Sequence, residues 1–194
     1  MTFIQACKHI SNFSSSHESR CGLLAEARLD YPENHIEADN RLSWFLGRLD
    51  KQYGNSAFYV HLKRNVNDTA TSFVRRYAIG IINAYRKSVY MGLSNTASPM
   101  TVFLDYCETI NSNIELFLKD KTGKMEFNLE NARVDFKTFW RLIGAEGDVG
   151  ASLREFATTY NASQSRAGLR GVQTYFVWIL KKCVRIFVRF PNFH

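Results

Sequence analysis

The chain has 194 residues, of which 45% are hydrophobic and 22% are charged. This length and composition predict one domain with a hydrophobic core and exclude disordered, collagen-like and low-complexity proteins. The net charge of +7 is uneven, because residues 1–160 carry 19 Lys or Arg against 18 Asp or Glu, whereas residues 161–194 carry six basic residues and no acidic one. We therefore expect a nearly neutral domain over 1–165 and a basic tail over 166–194, rather than a uniformly basic nucleic-acid-binding protein.

The four cysteines lie singly in the sequence and form no CxxC pair. We expect reduced thiols, and neither a zinc site nor any other bound metal. The N-terminal segment has only a short apolar run with no basic region before it, unlike a secretory signal peptide. This pattern predicts a cytoplasmic protein.

Segments rich in β-branched and aromatic residues alternate with amphipathic segments along the chain, and AFYVHLK at 57–63 is the best-defined strand. The predicted order is a strand at 2–7, a Ser-rich loop, a helix at 20–29, a strand at 34–38, a helix from 40 to 53, the strand at 57–63, a helix at 67–90, a helix at 100–118, a strand at 124–130 and a helix at 135–144. Such alternation predicts an α/β fold with a central parallel sheet and helices on both faces. Ligands of such folds bind beyond the carboxyl ends of the strands.

The tail has a different pattern. Residues 169–190 are mostly apolar, and their polar residues recur at spacings of four or seven, as in one stripe of a helix. The longest apolar run, at 175–180, is far shorter than the roughly 20 residues that cross a bilayer. We expect a cationic amphipathic C-terminal helix that docks on a membrane interface, an acidic partner or a second copy of the chain. Deletion of residues 172–194 would then weaken association and spare the domain.

The segment HLKRNVNDTATS joins the end of the best-defined strand to the next helix. It places Arg64 at the strand end and Ser72 eight residues later, so that a guanidinium and a hydroxyl near a helix start can contact one anion. This spacing, with Asp68 between the two, resembles the 3′-phosphate motif of the sulfotransferases that use 3′-phosphoadenosine 5′-phosphosulfate (PAPS). The alternative is an Arg that ends a strand and a Ser inside an ordinary helix.

The resemblance covers about residues 2–150 and includes a later helix that ends in FWRLIG. It implies a P-loop-like fold in which the loop after the first strand holds the 5′-phosphosulfate. In this chain that loop is rich in serine and lacks the glycines of the family's sequence. The residues that would hold the group are Ser14, Ser15, Ser16, Ser19 and Arg20. The alternative is a loop that is simply solvated.

The same resemblance implies a catalytic base near the end of the second strand. His35, Glu37 and Asp39 alternate there, so an extended backbone would direct all three to one side. Glu37 is the first candidate and His35 the second, while His17 in the loop is the candidate to stabilise the leaving oxygen. The alternative is that HIEADNR forms the N-terminal cap of a helix.

These patterns imply an enzyme that transfers a sulfonyl group from PAPS to a hydroxyl or amine of a small-molecule or carbohydrate acceptor. The resemblance implies no metal cofactor. Two alternatives remain open at this point. One is a non-catalytic scaffold with the same fold that docks through its C-terminal helix. The other is a magnesium-dependent nucleotide enzyme, although the chain lacks GxxxxGK[ST].

Overall fold

The computed structural model describes residues 2–64, 77–78, 80–94, 96–157 and 185–190. The helices are α1 (Thr2–Cys7), α2 (Leu46–Tyr53), α3 (Gly80–Ala84), α4 (Pro99–Leu118), α5 (Ala132–Leu142) and α6 (Val149–Glu155). The strands are β1 (Ser14–His17), β2 (His35–Ala38), β3 (Ala57–Lys63), β4 (Lys124–Asn128) and β5 (Arg185–Arg189). Short 3-10 turns lie at Ala25–Arg28, Asn40–Trp44 and Leu129–Asn131, and a π-helical turn follows α3 at Tyr85–Val89.

The five strands form one mixed sheet in the order β1-β2-β5-β3-β4. Strand β1 is parallel to β2, and β3 is parallel to β4. Strand β5 lies between β2 and β3 and is antiparallel to both. The four strands described among the first 130 residues therefore run in one direction. The α/β class is confirmed, whereas the prediction of a fully parallel sheet is wrong because of β5.

Strand β5 also corrects the prediction for the end of the chain. The cationic amphipathic helix predicted at 169–190 is wrong for Arg185–Arg189, which is a strand. The physical reason is that successive residues of RIFVR point to opposite faces of the sheet, as in a strand. Phe187 packs in the core on one face, and Val188 packs in the core on the other. Residues 169–184 of the predicted helix lie outside the described residues.

Two hydrophobic cores cover the two faces of the sheet. On one face α1, α5 and α6 pack against β3 and β4, and Phe3 lies among the rings of Phe127, Phe136 and Phe139 at centroid distances of 5.0 to 5.5 Å. On the other face α2 and α4 pack against β3 and β5. The expected helices on both faces are therefore present.

The N-terminal elements differ most from the prediction. The strand expected at 2–7 is helix α1, because the buried residues Phe3, Ala6, Cys7 and Ile10 follow the helical spacing of three and four. The Ser-rich loop expected next is strand β1 as far as His17. Pairing with β2 explains this difference, since parallel pairing depends on a partner 21 residues away and not on local propensity.

The remaining predictions agree more closely with the structure. Strand β3 has the predicted bounds, β2 and β4 lie within the predicted segments, and α4 begins one residue early at Pro99. The helix expected at 20–29 is reduced to the 3-10 turn Ala25–Arg28, and that expected from residue 40 is split between a 3-10 turn and α2. Of the helix predicted at 67–90, residues 67–76 and 79 lie outside the described residues, and residues 80–89 are helical as α3 and the π-helical turn. None of the described helices is both long and apolar enough to cross a membrane.

Candidate functional site at the carboxyl edge

An arginine follows each of the strands β1, β2 and β3. Arg20 lies three residues after β1, Arg41 three residues after β2, and Arg64 directly after β3. Because these strands run in the same direction, their carboxyl ends lie at one edge of the sheet. We call this edge, with its three arginines, the carboxyl edge. It is the edge at which open α/β sheets bind ligands.

The three arginines differ in their surroundings. Arg20 donates a hydrogen bond of 3.0 Å to Ala27 O, and its guanidinium lies 5.6 Å from the ring centre of Tyr31. Arg41 forms an ion pair of 3.0 Å with Glu18. Arg64 is half-buried at the end of β3. Strands β1 and β3 are three strand spacings apart, or about 14 Å, and β3 extends three residues beyond the level at which β1 ends.

The turn after β1 is held by a buried carboxylate. Glu37 accepts the backbone N–H of Ser19 at 3.0 Å and also the Ser19 hydroxyl. Glu18, at the start of the turn, has a positive φ of 51°. Ser19 therefore gives both of its donors to Glu37, and Arg20 is the residue of this turn with charged donors for an external anion.

The other residues of the predicted phosphosulfate loop lie within strand β1. Ser14, Ser15 and Ser16 pair with β2 in register, opposite His35, Ile36 and Glu37 respectively. Ser14 begins the strand, so it lies at the amino end of β1 rather than at the carboxyl edge. The loop geometry expected for this stretch is therefore wrong. Ser72 and Asp68, the partners expected for Arg64, lie outside the described residues.

The three candidate catalytic residues lie at different depths. His35 and Glu37 are buried, with 4% and 0% of their surface exposed, whereas His17 is partly exposed at the carboxyl end of β1. The Nε2 atom of His35 lies 3.2 Å from Glu37 Oε2, and its Nδ1 atom lies 2.8 Å from Ser14 Oγ. The expectation that His35 and Glu37 share one side of the strand is confirmed.

The carboxyl of Glu37 is held in its ionised form. Burial alone would raise its pKa, but hydrogen bonds from His35 and Ser19 outweigh this effect and lower the pKa below its ordinary value. A carboxylate whose oxygens already accept bonds from two residues has little capacity to remove a proton from an external molecule. Its geometry fits a group that positions His35 and the turn at Ser19.

Asp39 has a structural role. Its side chain accepts the backbone N–H of Arg41 and thereby caps the 3-10 turn, so the alternative of an N-terminal cap is confirmed for this residue. It also forms a buried ion pair of 2.5 Å with Arg28, which in turn lies 3.3 Å from the Tyr31 hydroxyl. This pair anchors the 3-10 turn Ala25–Arg28 against β2.

One group of described residues has the composition of a metal site. Potential ligand atoms of His61, Glu115 and Glu126 lie within 4.8 Å of one another. The Nζ atom of Lys63 lies 2.6 Å from Glu126 and 3.3 Å from Glu115, so one ammonium already pairs with both carboxylates. His61 Nε2 lies 3.2 Å from Asn111 Oδ1. We assign these contacts to the packing of α4 on β3 and β4.

Sequence reasoning missed Arg41 and the pairing of Arg28 with Asp39. The position of Arg41 is readable from the sequence, because it follows the predicted strand at 34–38 in the same way as Arg64 follows its strand. The pairing of Arg28 with a residue 11 positions later depends on the tertiary fold. Comparison of the chain with protein-family models, curated proteins and solved structures gave no match in any of the three.

Proposed function

We propose that the carboxyl edge binds PAPS and that the chain transfers the sulfonyl group of PAPS to a hydroxyl or amine of a small-molecule or carbohydrate acceptor. The observation that carries this proposal is the arginine after each of three strands that end at one edge. PAPS carries a phosphate at the 3′ position and a phosphosulfate at the 5′ position, so it needs two cationic contacts separated by the width of a nucleoside. Arg64 and Arg20 follow strands that are three strand spacings, or about 14 Å, apart.

In the proposed complex Arg64 binds the 3′-phosphate, together with Ser72 if the spacing motif operates as in the family that the sequence resembles. Arg20 binds the 5′-phosphosulfate, and Arg41, which is paired with Glu18, follows β2, the strand next to β1. Guanidinium groups suit this role because they donate two parallel hydrogen bonds to one phosphate. The arginines would neutralise the charge that develops on the leaving phosphate oxygen during transfer.

Transfer also requires removal of a proton from the acceptor, and position favours His17 for this step. It is the candidate catalytic residue that is both partly exposed and at the carboxyl end of its strand. The ring of His35 contacts Ser14 at the opposite end of β1, three residues or about 10 Å along the strand. Glu37 then acts indirectly, by holding Ser19 and so the turn that carries Arg20.

Thermal unfolding in the presence of 3′-phosphoadenosine 5′-phosphate tests the binding step. Ligand at a hundred times its dissociation constant adds about 2.7 kcal/mol to the free energy of unfolding, so the unfolding temperature should rise by several degrees. Arg64→Ala should remove most of this rise. Arg141→Ala is the matched control, because Arg141 is exposed in the last turn of α5 and should leave the rise unchanged.

Adenosine 5′-phosphate, which lacks the 3′-phosphate, should stabilise the protein less than the bisphosphate. Equal stabilisation by both nucleotides, or an unchanged rise in Arg64→Ala, would contradict the proposal. Transfer is then measured with PAPS and a panel of hydroxyl and amine acceptors. Nucleotide binding without transfer to any acceptor would favour the non-catalytic scaffold.

A further inference from the structure

Ser14, His35 and Glu37 form a hydrogen-bonded line on one face of the sheet, beside the Tyr31 ring that also contacts the Arg20 guanidinium. Ser14 Oγ lies 2.8 Å from His35 Nδ1, and His35 Nε2 lies 3.2 Å from Glu37 Oε2. Because an ionised carboxylate only accepts hydrogen bonds, Nε2 is the donor in the contact with Glu37, and Nδ1 can accept a hydrogen bond when Nε2 alone carries a proton. The Ser14 hydroxyl can then donate to Nδ1, although Asn34 O at 3.3 Å is a second acceptor for it.

The environment of the line divides it into a buried part and an exposed end. His35 and Glu37 are almost fully buried, and the ring of Tyr31 stacks on that of His35 at 5.8 Å with an angle of 11° between the planes. Ser14, by contrast, is exposed at the start of β1. The imidazole is therefore fixed on three sides, by Tyr31, Glu37 and Ser14, and Ser14 is the exposed member of the line.

From this geometry we propose that Ser14 is a nucleophile, activated by His35 as base and oriented through Glu37, that accepts an acyl group from a carboxylic ester. A nucleophile within hydrogen-bond reach of a base, with a third group that orients the base, is the arrangement of serine hydrolases on many unrelated folds; in the Ser-His-Asp triad Nε2 contacts the serine and Nδ1 the carboxylate, and here the two ring nitrogens are exchanged. Glu37 is a positioning residue in this scheme, since it acts through His35. The activity does not depend on nucleotide binding, because Ser14 lies at the amino end of β1.

The proposed step is balanced without any co-reactant other than water. Ser14 Oγ forms a bond to the acyl carbon while its proton moves to His35 Nδ1. The bond from the acyl carbon to the ester oxygen breaks, and the leaving alcohol takes the proton from Nδ1. Water then attacks the acyl-serine, gives its proton to Nδ1, and releases the carboxylic acid and the Ser14 hydroxyl.

A fluorophosphonate probe tests the nucleophile directly, because it forms an O–P bond to an activated serine and releases fluoride. Incubation of the full chain should add one probe per molecule, and peptide mapping should locate it at Ser14. Ser14→Ala should abolish labelling without unfolding the protein, since the side chain is exposed. Ser11→Ala is the matched control, because Ser11 is an exposed serine three residues earlier and should leave labelling unchanged.

The role of Glu37 is tested by the rate of labelling in Glu37→Gln at a temperature where circular dichroism shows a folded protein. Loss of the carboxylate that orients His35 should slow labelling by about a hundredfold, while the final stoichiometry stays at one probe per molecule. A merely structural role would lower stability and leave the rate of the folded fraction unchanged. Absence of labelling in the folded wild-type chain, or a probe on another residue, would overturn the proposal.

Discussion

Glu37 shows how one residue can connect two parts of the site. Its carboxylate accepts from the turn after β1 through Ser19 and from the imidazole of His35 on its own strand. The alternation of His35 and Glu37 in the sequence predicts that they share a face of the strand, so this feature could be predicted without a structure. The contact between Glu37 and Ser19 could not be predicted from the sequence, because it depends on the register between β1 and β2.

The lowered pKa of Glu37 predicts how stability responds to acid. A carboxyl whose pKa is lower in the folded state stabilises the protein above its unfolded pKa of about 4.3, and this contribution is lost as the pH falls through the folded pKa. Glu37→Gln should cost about 1.5 to 3 kcal/mol near neutral pH, because buried donors lose an ionised acceptor. The difference between wild type and variant, from urea unfolding, should shrink below about pH 4. A difference that does not change with pH would contradict the account.

Gly147 illustrates a backbone requirement at a single residue. Its φ is 124°, and a Cβ there would lie 2.3 Å from His9 O, where an isolated bridge pairs Ile10 with Gly147. Gly147→Ala should therefore destabilise the protein by more than about 2 kcal/mol. Gly144→Ala is the matched control, since Gly144 has a φ of 63° with no atom within 4 Å of a Cβ, and should cost only about 1 kcal/mol. Equal losses in chemical denaturation would show that the close approach to His9 is unimportant.

At the scale of elements, the prediction succeeded where a segment carries its own signal. Strand β3 is aromatic and β-branched, and α4 starts at a proline, so both could be located from local sequence. Strand β1 has the sequence SSSH, which contains no strong β-former, and it becomes a strand by pairing with β2. Strand β5 is short and follows a long apolar segment, so its antiparallel position between β2 and β3 is a tertiary property.

The central position of β5 predicts that the sheet depends on it. Proline at Val188 would remove a ladder hydrogen bond in a strand that is paired on both sides, and Val188 is fully buried. We expect Val188→Pro to lower the free energy of unfolding by at least about 3 kcal/mol. Val149→Pro is the matched control, because Val149 is the first residue of α6, where proline is tolerated.

Thermal unfolding of the two proline variants compares a central strand with a helix start. A similar small effect in both variants would show that β5 contributes little to the sheet.

Deletion of residues 172–194 would remove β5 from its place between β2 and β3. The edges of β2 and β3 that pair with β5 would then have no hydrogen-bonding strand. We now expect that deletion to unfold the sheet rather than to spare it.

At the scale of the whole molecule, the strand order decides which charged residues lie near one another. Residues 1–160 are nearly neutral in sum, yet the topology brings Arg20, Arg41 and Arg64 to one edge. Sequence reasoning located Arg64 by its spacing and Arg20 by its place in a loop, but only the strand order shows that both lie at the same edge as Arg41. The proposed anion site therefore does not require a basic domain.

The central claim is that the carboxyl edge binds a nucleotide with a 3′-phosphate, and a crystal structure with 3′-phosphoadenosine 5′-phosphate tests it most directly. The account predicts the 3′-phosphate against the guanidinium of Arg64, the 5′-phosphate against Arg20, and the nucleoside across the ends of β2 and β3. A nucleotide bound at the amino ends of the strands, or one whose phosphates contact neither arginine, would contradict it.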